Sequence, residues 1–89
     1  MPVVRFTQNI QRHVPCPERT VDGATVREAL EAYFAAEERA RSYVLDDRGE
    51  VRPHMIVFVN GAAVTDRRSL TDPVAADGTI DVMQALSGG

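Results

Sequence analysis

The chain opens with alternating apolar and polar residues, the pattern of a β-strand with one buried face. In VVRFTQ, residues 3–8, Val4 and Phe6 fall on one face and Arg5 and Thr7 on the other. A period of two is typical of a half-buried strand. The following HVPCPERTV also has the character of an extended segment. Because prolines cannot donate ladder hydrogen bonds, we expect this second segment at the edge of a sheet.

Apolar residues then recur at helical spacing and predict one amphipathic helix at about residues 26–39. Thr25 and Glu28 have capping-box spacing, in which the hydroxyl caps the helix and the carboxylate returns to the N-cap amide. The apolar positions follow i, i+3, i+4, i+7 and i+8 and form one stripe: Val26, Ala29, Leu30, Tyr33 and Phe34. This stripe is expected to pack on a core.

Extended segments resume after the helix. SYVLDDRGEVRPH has apolar residues on both sides of a turn signal, DDRG, and predicts a strand with a short hairpin or excursion. MIVFVNGAAV is rich in β-branched residues and is interrupted by NG, a tight-turn dipeptide. A polar stretch anchored by Leu70 and Val74 leads through DG into the last strand, TIDVMQAL.

Together these elements predict an α+β domain in which a mixed four- to five-stranded sheet packs on one main helix. A single amphipathic helix must bury its stripe against one face of a sheet. We expect the last strand at the centre of that sheet. Its Ile80 and Val82 then face the core, and Asp81 and Met83 face the other way.

Length and charge limit the classes of function. A chain of 89 residues builds one core, so we expect residues 1–84 to form one domain and residues 85–89 a flexible C-terminal tail. A net charge of −3 gives no reason to expect nucleic acid as a partner. No apolar run approaches the ~18 residues of a membrane span, and the N-terminus lacks a signal peptide. We expect a cytoplasmic protein that is monomeric when free.

Side chains suited to catalysis or metal binding are sparse. All ten basic residues are arginines, so the chain offers no lysine amine. Cys16 stands between two prolines without a clear partner to stabilise a thiolate, which favours a structural role. His13 and His54 belong to no cluster with ligand spacing, and no nucleophile has a base beside it. We predict no catalytic residue, no bound cofactor and no metal.

The end of the chain completes a family resemblance. The order of elements, FVNG after the helix, PVAADG before the last strand, and a chain that stops at Gly88-Gly89 resemble the ubiquitin-like β-grasp sulfur carriers of the ThiS/MoaD family. The resemblance spans nearly the whole chain. Leu86 and Ser87 stand where such carriers often have Val-Ala or similar small residues.

The resemblance implies that the Gly89 carboxylate is a chemical handle. An E1-like adenylating enzyme of the ThiF/MoeB type would use ATP to form an acyl-adenylate, and a sulfur donor would convert it into a thiocarboxylate. The carrier then delivers sulfur to a sulfur-accepting biosynthetic enzyme making cysteine, molybdopterin, thiamin or a similar product, and is not itself an enzyme. Leu86, Ser87 and Gly88 are predicted to enter the partner's active site, where glycines lack a Cβ that would obstruct a narrow channel.

A partner-docking surface is predicted on the sheet face opposite the helix. If Val57 faces the core, Ile56 and Phe58 face out, and a large exposed aromatic usually marks a contact. The resemblance matches Phe58 and Met83 to the apolar recognition patch of ubiquitin-like proteins, with Asp81 on the same face.

Two alternatives to the carrier use the same terminus. A ubiquitin-like modifier would be conjugated through Gly89 to lysines of target proteins, because an acyl-adenylate can be captured by an amine as well as by sulfide. The small subunit of a molybdopterin-synthase-type complex would insert its tail into a larger partner.

Overall fold

Five strands and three helices make up the regular structure of residues 1–85, the part of the chain that this computed structural model describes. In chain order they are β1 (Val3–Phe6), α1 (Gln8–Gln11), β2 (Arg19–Thr20), α2 (Val26–Ala36), α3 (Glu38–Val44), β3 (Met55–Val59), β4 (Ala62–Ala63) and β5 (Thr79–Gln84). Of the predicted tail, residues 85–89, residues 86–89 lie outside the described part. Within it, no helix has the length and apolar character needed to cross a membrane.

The strands form one mixed sheet in the order β2-β1-β5-β3-β4. β5 lies parallel to β1 and antiparallel to β3, so the last strand is central, as its sequence predicted. β2 pairs only with β1 and occupies one edge, which agrees with the position expected for the proline-flanked segment. The last described strand is therefore hydrogen-bonded on both sides.

The core lies between the inner face of the sheet and the stripe of α2. All five predicted stripe residues are buried, and so are Ile80 and Val82 on the central strand. Tyr33 joins the two layers: its ring centroid lies 5.0 Å from that of Phe6. Its hydroxyl donates a 2.6 Å hydrogen bond to the Pro17 carbonyl oxygen. Burial raises the pKa of Tyr33, which keeps the phenol protonated as the donor.

The first turn of α2 follows the capping prediction with one difference. Thr25 Oγ1 accepts a 3.2 Å hydrogen bond from the backbone N–H of Glu28, so the helix begins at Val26 as expected. The Glu28 carboxylate accepts from the backbone N–H of Ala24, at 2.9 Å, rather than from the N-cap amide. The Glu28 N–H is one of the donors that the first helical turn leaves without partners, whereas the Ala24 N–H lies just before the N-cap.

The predicted extent of the main helix is wrong at its carboxyl end. α2 ends at Ala36 instead of residue 39, because Glu37 leaves the helical region with φ −126° and ψ 69°. A second helix, α3, then covers part of the segment predicted as a strand. Ala40 and Val44 lie one helical turn apart and are both buried, so the helix places them on the core together. The expected hairpin is reduced to one bridge, between Leu45 and Val51.

The turn between β3 and β4 has the predicted chemistry. Asn60 and Gly61 both have positive φ, 49° and 86°, as a two-residue hairpin between β3 and β4 requires. The Asn60 side-chain oxygen also accepts a 2.9 Å hydrogen bond from the N–H of Thr79, where β5 begins. Leu70 and Val74 are buried, as expected of the anchors of the polar stretch.

The hydrogen bonds of the Asp66 carboxylate make the stability of the fold vary with pH in the acidic range. Its carboxylate accepts hydrogen bonds from the Thr71 hydroxyl at 2.7 Å and the Ser69 N–H at 2.9 Å, contacts that lower its pKa to about 2. A depressed native pKa contributes stability that is present above the unfolded value of about 3.9 and is lost as the pH falls through the native value. We therefore expect thermal unfolding of Asp66→Asn to depend less on pH between about 4 and 2 than that of the wild type.

The control is Asp77→Asn, at an exposed turn residue that makes none of these contacts. Melting temperatures of the three proteins across that pH range measure the effect. An Asp66→Asn curve parallel to that of the wild type would contradict the assignment.

Candidate functional site

The chain is held in place up to Ala85, the last described residue. Beyond the two ladders of β5, the Ala85 N–H donates a 2.7 Å hydrogen bond to the His54 carbonyl oxygen. The Asn9 side-chain amide donates to the Gln84 side-chain oxygen at 3.1 Å. The last described residue is therefore held against the segment just before β3.

The predicted terminal site falls outside the described residues. It comprises Gly89 as the reactive carboxylate and Leu86, Ser87 and Gly88 as the tail that enters a partner. Their roles stay predictions that rest on the sequence.

The structure brings the four predicted docking residues together on the outer face of the sheet, opposite the helices. Ile56 is directly across from Met83, and Phe58 is directly across from Asp81. Met83 is 40% exposed, whereas the other three are partly buried. Phe58 is thus only partly accessible, whereas the sequence predicted a large exposed aromatic. Whether a partner binds this face stays a prediction.

A groove of about 460 Å³ crosses the outer face beside Phe58 and Met83. Its lining comprises Arg5, Phe6, Thr7, Gln11, Glu18, Phe58, Gly61, Asp81, Val82 and Met83. The sequence had not marked Arg5 and Glu18 as site residues. Arg5 could have been found from its outward position in the alternating pattern of β1, but Glu18 lies in an irregular segment without a periodic signal.

The charged side of the groove is organised by an ion pair between adjacent strands. Arg5 Nε donates to Asp81 Oδ1 at 2.8 Å, and Arg5 Nη2 donates to Asp81 Oδ2 at 3.1 Å. The hydrogen bonds and charge of Asp81 raise the pKa of Arg5, and the charge of Glu18 raises it further. The Arg5 and Asp81 side chains are 51% and 30% exposed, so solvent screens their attraction. The ion pair therefore orients the two side chains but contributes little to the stability of the fold.

Neither Cys16 nor any cluster of possible metal ligands within residues 1–85 is suited to catalysis or metal binding. Cys16 is 2% exposed, and burial, followed by the charge of Glu37, raises the pKa of its thiol. A raised pKa disfavours the thiolate that would be needed for sulfur chemistry. Within residues 1–85, no three His, Cys, Asp or Glu side chains lie close enough to hold a metal ion.

A mixed five-stranded sheet with a central last strand and one face covered by helices defines the class of ubiquitin-like β-grasp proteins. SAMP1 from Haloferax volcanii is similar, with TM-score 0.78 and 28% identity over 99% of this chain and 98% of that one. A chain of the Amycolatopsis orientalis BexX/CysO complex has TM-score 0.83 and 19% identity, with both chains fully covered. CysO from Mycobacterium tuberculosis has TM-score 0.81 and 15% identity, covering 97% of this chain and 100% of that one. The predicted fold is confirmed.

The chain belongs to the ThiS family, whose sequence profile matches residues 7–89. The family resemblance predicted from the sequence is therefore confirmed. The protein therefore belongs to a class of small ubiquitin-like proteins that act as sulfur carriers or modifiers. No match was found among curated protein sequences.

Proposed function

We propose that this protein is a cytoplasmic sulfur carrier whose Gly89 carboxylate is adenylated by an E1-like enzyme and then converted into a thiocarboxylate. The observation that carries the proposal is the extent of the family match, which runs to residue 89 and so includes the terminal Gly88-Gly89. A match that covered only the folded domain would support the fold but would not support a role for the terminal glycines.

The chemistry requires activation because a carboxylate is a poor electrophile. A Gly89 carboxylate oxygen attacks the α-phosphorus of ATP, pyrophosphate leaves, and the product is an acyl-adenylate. A sulfur nucleophile supplied by a donor then attacks the acyl carbon and AMP leaves. The partner enzyme excludes water, which would otherwise hydrolyse the intermediate. The carrier contributes a terminus without bulky side chains at its last two residues, and a surface that positions this terminus.

The contribution of the folded domain is positional. β5 is held by ladders on both sides, and Ala85 is fixed by the His54 carbonyl oxygen. Met83, two residues before Ala85, projects from the outer face beside the groove. The four residues after Ala85 span at most ~14 Å when fully extended. For an enzyme that binds this face, the carboxylate is therefore confined to a small volume near a rigid strand.

The test is ATP–pyrophosphate exchange by the E1-like adenylating enzyme of the same organism, followed by intact mass measurement after addition of a sulfur donor. We expect exchange that depends on the carrier and a mass increase equal to replacing one oxygen by sulfur. The control is the chain without Gly89. If a known carrier gives both signals in the same assay and this protein gives neither, the proposal is refuted.

A modifier function is the second candidate, and the 28% identity with SAMP1, a small archaeal modifier protein, favours it. The acyl-adenylate is then captured by a target lysine amine, with an isopeptide bond formed and AMP released. Adducts that survive denaturing electrophoresis of host extract would support conjugation. Monomer that is trapped only by thiol-reactive reagents supports the carrier.

A further inference from the structure

Glu18 lines the groove as an acidic residue without an ion-pair partner among the described residues. It is exposed and lies just before the edge strand β2. It belongs to the groove lining together with Arg5, whose pKa its charge helps to raise, so the two charges are near each other. Among residues 1–85, Glu18 forms no ion pair.

The groove therefore carries one uncompensated negative charge. Its charged lining residues are Arg5, Asp81 and Glu18. Arg5 and Asp81 neutralise each other through two hydrogen bonds. The rest of the lining is uncharged, and Phe58 and Met83 form its apolar side.

We propose that the adenylating enzyme places an arginine or lysine side chain against Glu18, beside an apolar side chain that contacts Phe58 and Met83. This inference rests on the proposed function and names the chemistry of the partner at the docking surface. An apolar partner alone would cover Glu18 and leave its charge without water or a counter-ion, which is unfavourable. A cation compensates that charge, and its aliphatic stem packs along the apolar side of the groove.

The test is the dependence of ATP–pyrophosphate exchange on carrier concentration for Glu18→Arg and Glu18→Gln. Opposing like charges should raise KM about 10-fold for Glu18→Arg, while kcat stays within about twofold because the terminus is unchanged. Glu18→Gln removes the charge only, so we expect KM to rise about threefold and to depend less on ionic strength than in the wild type.

The matched control is Asp47→Arg, which makes the same change of charge at an exposed turn residue. That turn lies on the helical side of the molecule, since the Gly49 carbonyl accepts a hydrogen bond from Arg27 of α2. Its KM should match that of the wild type. Circular dichroism and thermal unfolding verify that the three variants are folded.

The outcomes separate the inference from the proposed function. If KM for Glu18→Arg equals that for Asp47→Arg while exchange proceeds, the inference is overturned and the carrier function stands. If the wild-type protein supports no exchange, the proposed function fails. A substituted enzyme whose matching cation is replaced by glutamate should recover a low KM with Glu18→Arg, which would identify the partner residue directly.

Discussion

Replacing Gly88 by leucine is expected to lower kcat/KM for ATP–pyrophosphate exchange by at least ~100-fold, the scale of loss caused by misplacing a reacting group by about 1 Å. In the proposed function the terminus enters a water-excluding channel, and a channel fitted to two glycines would have no room for a branched side chain next to the Gly89 carboxylate. The fold should be unaffected, because the ladders that hold β5 end at Gln84, before the substituted residue in the sequence. Exchange kinetics and thermal unfolding measure the two effects separately.

The matched control is Ala76→Leu, at an exposed loop residue before the start of β5 and so at the opposite end of that strand from the tail. It adds a leucine side chain where no channel is expected, and its exchange should equal that of the wild type. If Gly88→Leu supported exchange at the wild-type rate, the terminus would not pass through a narrow site.

Gly23→Ala is expected to destabilise the protein by about 3 kcal/mol, since it combines a strained φ with overpacking. A Cβ at residue 23 would lie 2.6 Å from the backbone nitrogen of Ala29 and 3.0 Å from the carbonyl carbon of Glu28. These atoms belong to the first turns of α2, so relief requires moving the helix. The midpoint of thermal unfolding should fall by about 15 °C.

Gly61→Ala is the natural comparison, because it separates backbone strain from steric conflict. Gly61 has φ +86°, but nothing lies within 4 Å of a Cβ built on it. Only the cost of a positive φ remains, about 1 kcal/mol. Equal losses of stability in the two variants would show that the segment before α2 moves aside without cost.

Where one physical signal dominated, the sequence predicted the local structure. The alternation around Val4 and Val82, the capping pair before α2 and the NG turn each act over a few residues and need no distant partner. The carboxyl-terminal part of α3 was mistaken for a strand because apolar residues, among them the β-favouring Tyr43 and Val44, stand just before the DDRG turn signal. In the fold, the helical spacing of Ala40 and Val44 prevailed, since it buries both side chains. α1 is only four residues long and buries one side chain, too little to form a periodic pattern.

The docking surface could be predicted only in part, because some of its contacts join residues far apart in the sequence. Alternation placed Phe58, Asp81 and Met83 outward on their own strands, and the family resemblance matched Phe58 and Met83 to one apolar patch. The pairing of Asp81 with Arg5 joins residues 76 positions apart and follows from the parallel contact of the first and last strands. Glu18 reaches the groove through an irregular segment, whose path depends on tertiary contacts that no local rule encodes.

The central position of β5 also determines how the molecule responds to mechanical force. Pulling along the strand from Ala85 loads the ladders with β1 and β3 in shear, since ladder hydrogen bonds run across the direction of pull. Many of them must then break at nearly the same time. Pulling on the edge strand β2 would instead peel its short ladder one contact after another. A motor that unfolds proteins from the carboxyl end would therefore meet the greatest resistance of this domain at its first step.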